Sequence, residues 1–254
     1  GYLRHFEDTC DEIAVGDVTP QYLFSKVAAE EIYKFDPNAK IIAIFREPID
    51  YLCSEHSQIL YSCHEVEEDF EKALNLEKSR KSGKNIPPGV REPSQLFYSE
   101  RITYAKQLKR YLEIFPRDQV LVLIFDDFRA DNEGTYRKVL EFLGVDPDFK
   151  PEFKKHNVNT VTRFKKFRLL YIHFKGSFLG QFLKRVMPGK LREKIIKNVY
   201  SLTTEETKRN PLDPKLRKKL MKKYKHEVVK LDKLLHEYKL YDKPIVKLWG
   251  YDKL

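Results

Sequence analysis

The chain has 254 residues, with 48 Lys and Arg against 38 Asp and Glu for a formal net charge of +10. Hydrophobic content of 41% with 13% aromatics supports a sizeable core and speaks against a largely disordered chain, and no run of 18 apolar residues marks a membrane span. Three scattered cysteines, Cys10, Cys53 and Cys63, form no CxxC pair, which argues against a metal site or disulfide framework and fits a reducing, cytoplasmic setting.

The length fits a single domain over residues 1–254, with an α/β core over 1–160 and a helical part over 161–254. Residues 3–8 read as the end of a helix and Val18-Thr19-Pro20 as a turn. Tyr22 to Phe35 carries apolar residues at helical spacing, and Asp36-Pro37-Asn38-Ala39 ends that helix. Strand 40–46 follows; the run Ile41-Ile42-Ala43-Ile44-Phe45 reads as a strand covered on both faces. Glu47-Pro48 stops it, and Asp50 is the expected N-cap of a helix over 50–62. A helix followed by a buried strand is half of a βαβ unit and predicts a parallel sheet.

An arginine at the end of such a strand, beside a helix start, suits a phosphate. The guanidinium is planar, always charged and bidentate, and helix-start amides add donors. Arg46 has that place, and Ser54, one turn into the helix, adds a hydroxyl. The same pattern also fits a strand-end arginine that merely meets solvent or a carboxylate.

Further along, Glu65 to Lys81 reads as a charged amphipathic helix and Ser82 to Pro93, rich in Gly and Pro, as a loop. Leu96 to Phe115 reads as one long helix, followed by a turn at Pro116-Arg117-Asp118 and strand 119–125. Asn132 to Leu143 is a helix with Gly144 as its C-cap. Residues 150–165 look extended, and helices are expected over 166–186, 190–200 and 214–238.

Taken in order, Thr19-Pro20-Gln21-Tyr22-Leu23, the Arg46 to Ser54 spacing of eight residues, Val120 to Asp127 and Val139 to Gly144 resemble the sulfotransferases that use 3′-phosphoadenylyl sulfate (PAPS), in their bacterial and carbohydrate-acting branches. The resemblance covers about residues 5–160. It implies an α/β fold with a central parallel sheet flanked by helices, P-loop-kinase-like in topology, and a helical C-terminal region. It implies PAPS as donor, adenosine 3′,5′-bisphosphate as product, and Arg46 and Ser54 on the 3′-phosphate. Phe125 stands where the family often has a tyrosine near the adenine, so its contact would be stacking without a hydroxyl. Thr19 and Tyr22 fall on the acceptor side, and Arg163 and Lys165 lie about where the family closes a basic loop over the donor.

The family's glycine-rich phosphosulfate loop, with its lysine, and its usual base have no match here. Lys81-Ser82-Gly83-Lys84 lies in a polar loop with no strand before it. The expectation is a chain that begins after that segment. Among the residues present, His56 is the best substitute base, although it lies about 200° round the helix from Ser54; the alternative is an ordinary, partly buried histidine. The acceptor expected is a hydroxyl or amine of a carbohydrate or small molecule, with no metal. Two other readings stay open: a nucleotide-binding remnant without turnover, and a basic nucleic-acid-binding module, for which no helix-turn-helix, zinc or RNA-binding signature appears.

Overall fold

Strands β1 (Ile41–Phe45) and β2 (Val120–Ile124) lie side by side in parallel, in the unbroken register Ile41↔Val120 to Phe45↔Ile124. This computed structural model describes residues 6–7, 9–88, 90, 92–153, 160–162, 187–188, 191, 198, 204–206 and 211–254. The chain divides into two compact units, one of residues 1–48, 103–152 and 221–254, the other of 49–102 and 153–220. The mixed fold with a parallel strand pair and a long C-terminal helix is the α/β class that the sequence predicts.

In the first unit, helices α1 (Gln21–Phe24) and α2 (Ala28–Phe35) precede β1. The sequence predicts one helix there. Ser25 breaks it: its backbone is extended and its hydroxyl accepts the amides of Val27 and Ala28 at 3.3 and 3.2 Å, the local bonding by which serine competes with helix. The carbonyls freed at the break are used. Arg110 donates to Leu23 and Phe24 at 2.8 and 3.1 Å, and Tyr111 donates its hydroxyl to the carbonyl of Tyr22 at 2.7 Å.

Ala43 and Phe45 of β1 are buried, whereas Ile42 and Ile44, which alternate with them, are 41% and 49% exposed. The apolar run therefore has one well-covered face, not two. Isoleucine suits extended backbone through its stiff branched side chain as well as through burial, so the run overstates the covering. The covered face packs beneath Tyr104, whose ring lies 5.1 Å from that of Phe45.

The second unit contains most of helix α3 (Pro48–Tyr61), then α4 (Phe70–Asn75), α5 (Glu77–Lys81) and α6 (Tyr98–Arg101). Pro48 is the first helical residue, where its missing N–H costs nothing and its fixed φ helps. Asp50 therefore lies in the first turn instead of capping it, and binds Arg217 at 2.7 Å. The helix predicted from Glu65 starts only at Phe70, with Asp69 as its cap. Glu65 is held otherwise: its carboxylate accepts the amides of Val66 and Glu67, two guanidinium bonds from Arg80 at 2.7 Å each, and the hydroxyl of Tyr98 at 2.9 Å. Glu65, Arg80 and Tyr98 are all buried.

The long helix predicted over 96–115 is likewise two pieces, α6 and α7 (Tyr104–Leu112), because Thr103 leaves helical geometry at φ −76°, ψ 52°. After β2 come α8 (Phe125–Ala130) and α9 (Asn132–Leu143) in the first unit. Gly144 ends α9 in the left-handed region at φ 78°, as its C-cap position predicts. Strand β3 (Thr160–Thr162) falls within the stretch expected to be extended and pairs antiparallel with β4 (Thr204–Glu206), a short strand the sequence reading does not foresee. Helix α10 (Pro214–Glu237) matches the last predicted helix, and the short α11 (Ile245–Leu248) follows. The helices expected over 166–186 and 190–200 lie almost wholly outside the described residues.

Removing one partner of a buried ion pair leaves the other charged and unpaired. Arg80→Ala should therefore destabilise the protein by about 3–5 kcal/mol, read from denaturant unfolding. Burial alone would raise the Glu65 pKa, but the bonds from Arg80, the Glu67 amide and Tyr98 outweigh it and hold the carboxyl below its usual range. The folded-state pKa is depressed, so this stabilisation is present above the ordinary glutamate pKa of about 4.3. It should be lost as pH falls through the lower folded value, and unfolding midpoints measured down the acid range should show a shallower decline in Glu65→Gln.

Candidate functional site

The parallel register that pairs Phe45 with Ile124 sets Arg46 alongside Phe125, one residue beyond each strand. Phe125 is the first residue of α8 and not the last of β2. The Arg46 guanidinium carbon lies 5.0 Å from the centre of the Phe125 ring, a cation–π distance, and the ring of Phe128 lies 6.0 Å from the same ring. Arg46 is half-buried and forms no ion pair among the described residues. Arg46 and Phe125, which the resemblance expects on the same donor, are thus in contact.

Three carboxylates adjoin this pair in the chain, and each is engaged elsewhere. Glu47, buried, accepts the hydroxyl of Tyr251 at 2.5 Å. Asp126 accepts the indole N–H of Trp249 at 2.9 Å. Asp127 accepts Tyr241 at 2.7 Å and Lys243 at 3.0 Å. Burial would raise the Asp127 pKa, but Tyr241 and Lys243 more than offset it and hold the carboxyl low. The sequence reading does not foresee these partners, since each lies more than a hundred residues away in the chain.

Ser54 lies within α3 in the second unit, half-buried, its hydroxyl without a hydrogen-bond partner among the described residues. His56, two positions on, has the surroundings of a packed core histidine. It is buried, its Nε2 donates to the carbonyl of Glu67 at 2.8 Å, and its ring lies 5.4 and 6.1 Å from those of Phe70 and Tyr98. Burial lowers its pKa, against smaller raising effects of the Glu67 carbonyl and the Glu65 charge.

Thr19 and Tyr22 meet at one carboxylate. The Thr19 hydroxyl donates to Asp17 Oδ1 at 3.2 Å and the Tyr22 hydroxyl to Oδ2 at 2.6 Å. Asp17, which the sequence reading does not single out, thus accepts both hydroxyls and orients both side chains. Arg163 and Lys165 lie outside the described residues.

Lys81-Ser82-Gly83-Lys84 closes the C-terminal end of α5. Gly83 takes φ 79°, and the amides of Gly83 and Lys84 bond back to the carbonyls of Arg80 and Ser79. These amides are spent on the helix end and do not form a phosphate cradle. Among the described residues there is no cluster of His, Cys, Asp and Glu that could hold a metal ion, and no helix long and apolar enough to cross a membrane.

Comparison with known proteins gives a consistent result. A family model described as the sulfotransferase domain matches residues 27–233. The human heparan sulfate glucosamine 3-O-sulfotransferase 5 is 26% identical over 130 residues, covering 51% of this chain and 35% of that protein. The human carbohydrate sulfotransferase 15 is 26% identical over 140 residues, covering 46% of this chain and 22% of that protein. The chain thus aligns with about a third or less of these relatives. The crystal structure of a sulfotransferase from Alicyclobacillus acidocaldarius superposes with a TM-score of 0.66 at 24% identity, over 98% of this chain and 72% of that one, a likeness of fold.

The lowered His56 pKa has a measurable sign. The unfolded ring takes up a proton near its ordinary pKa of about 6.5, whereas the folded ring does so only at lower pH. The stability this contributes is present above about pH 6.5 and declines as pH falls through the folded value. His56→Gln should flatten that decline in chemical-denaturation midpoints.

Proposed function

The chain belongs to the sulfotransferase-domain family, and from that premise we propose that it moves a sulfuryl group from PAPS to a hydroxyl or amine of a carbohydrate or small-molecule acceptor. The observation that carries the reading is Arg46: a half-buried guanidinium at the end of a parallel strand, against an aromatic ring, with no carboxylate paired to it among the described residues. A half-buried guanidinium with no carboxylate on it keeps its planar fork available to an anion, and a phosphate is a ligand that this fork fits. The carbohydrate side of the proposal draws on the names of the relatives at 26% identity.

In this reading Arg46 binds and registers the donor's 3′-phosphate, and Phe125 offers an apolar face beside it for the adenine. Ser54 is proposed for the same phosphate on its spacing from Arg46, and Arg163 and Lys165 for the donor on their place in the sequence. Thr19 and Tyr22, oriented by Asp17, are proposed for the acceptor side. The donor supplies the sulfuryl group. Chemistry of this kind, like phosphoryl transfer, depends mainly on positioning and on stabilising charge, which is what a fixed guanidinium contributes. No general base is assigned: His56 commits Nε2 to a carbonyl inside an aromatic cluster.

Isothermal titration of adenosine 3′,5′-bisphosphate tests the proposal. Binding on the order of micromolar is expected, weakened by about 2 kcal/mol or more in Arg46→Ala, as for loss of a charge-assisted hydrogen-bonded pair. Equal binding by wild type and variant would remove Arg46 from the site. Binding without turnover of PAPS in the presence of candidate acceptors would assign the chain a nucleotide-binding role instead.

A further inference from the structure

An arginine that is to receive a phosphate must first be kept from the carboxylates around it. Glu47 is the next residue after Arg46, and Asp126 and Asp127 follow directly on Phe125, whose ring the guanidinium touches. A carboxylate within reach of a guanidinium binds it through two parallel hydrogen bonds. Such a pair would neutralise Arg46 and fill the fork a phosphate needs.

All three carboxylates accept hydrogen bonds from one stretch of chain, residues 241–251. Tyr251 donates to Glu47, Trp249 to Asp126, and Tyr241 with Lys243 to Asp127. Trp249 and Tyr251 are 7% and 0% exposed, so neither is a loose surface contact. Gly250 between them adopts φ 72°, a left-handed turn that suits glycine and brings two aromatic donors, two residues apart, onto carboxylates from two different strand ends. Three of the four donors carry no charge. They satisfy the carboxylates without placing a further cation beside Arg46.

We propose that the Trp249-Gly250-Tyr251 segment, with Tyr241 and Lys243, is a positioning device that draws the neighbouring carboxylates away from Arg46 and so keeps its guanidinium available to an anion. Tyr251 and Trp249 are positioning residues: they act on Arg46 only through Glu47 and Asp126. The inference rests on the reading of Arg46 as the donor-phosphate residue.

The test is titration of adenosine 3′,5′-bisphosphate, with a thermal melt of each variant beside it. Tyr251→Phe keeps the ring and deletes only the hydroxyl. Its affinity should fall about tenfold, the scale of one charge-assisted hydrogen bond. Adding Glu47→Gln to that variant should restore affinity to within about twofold of wild type, because the competing charge is gone. Trp249→Phe with Asp126→Asn forms an independent second pair with the same expected loss and rescue, and it decides the matter if Tyr251→Phe does not fold. Unchanged affinity in the single variants overturns the inference. So does a loss that the second substitution fails to restore, since the aromatic residues would then only anchor the C-terminal segment. Absence of binding by the wild type would overturn the Arg46 reading itself, and is a result distinct from either.

Discussion

The parallel pairing of β1 with β2 is the constraint on which the candidate site depends. Five register pairs from Ile41↔Val120 to Phe45↔Ile124 bring together segments almost eighty residues apart and deliver both strand ends to the same level. Arg46 and Phe125 are in contact because each is the first residue beyond its strand. Glu47 and Asp126 come next, which is also why this corner of the first unit carries so much negative charge beside its arginine. A slip of one residue would turn every β1 side chain to the opposite face; buried Ala43 and Phe45 on one face, and more exposed Ile42 and Ile44 on the other, hold the register in place.

Charge management recurs in the second unit. Glu65 and Arg80 are buried together, and two charges taken out of water are a poor source of net stability unless every remaining bond is made. Here they are made: two amides, two guanidinium bonds and the Tyr98 hydroxyl meet on one carboxylate. Burial and the nearby Glu65 charge push the Tyr98 hydroxyl pKa upward, so it remains a donor. The network ties residue 65 to residues 80 and 98, and with them the aromatic cluster that encloses His56. A chain with a net charge of +10 thus keeps a negative charge in its interior by surrounding it with donors.

The helices show how local preference yields to such contacts. The stretches 22–35, 65–81 and 96–115 each have helical periodicity; the first two are interrupted where a side chain finds another partner, Ser25 with the Ala28 amide and Glu65 with Arg80, and the third breaks at Thr103, whose backbone leaves helical geometry. The carbonyls released near Ser25 are those that Arg110 and Tyr111 bind. Interruption and tertiary contact form one arrangement, since buried or half-buried backbone groups must be paired somewhere.

Much of this protein was legible in its residues alone. Strand-forming runs at 40–46 and 119–125, the Gly144 helix end, the α/β class and the ordered motifs that resemble the sulfotransferases are local signals, carried by side-chain shape, turn chemistry and short spacings. Arg46 could be picked out for the same reason, since its residue type and its place after a strand are both local. What Arg46 touches, and what is kept from it, was decided by the tertiary structure. Tyr251 and Trp249 reach Glu47 and Asp126 across 204 and 123 residues of chain, and no local pattern encodes a partner at that distance. The open face of β1, the breaks in the helices and the aromatic burial of His56 belong with them. Burial and pairing are properties of what packs against a residue, and packing exists only once distant segments have met.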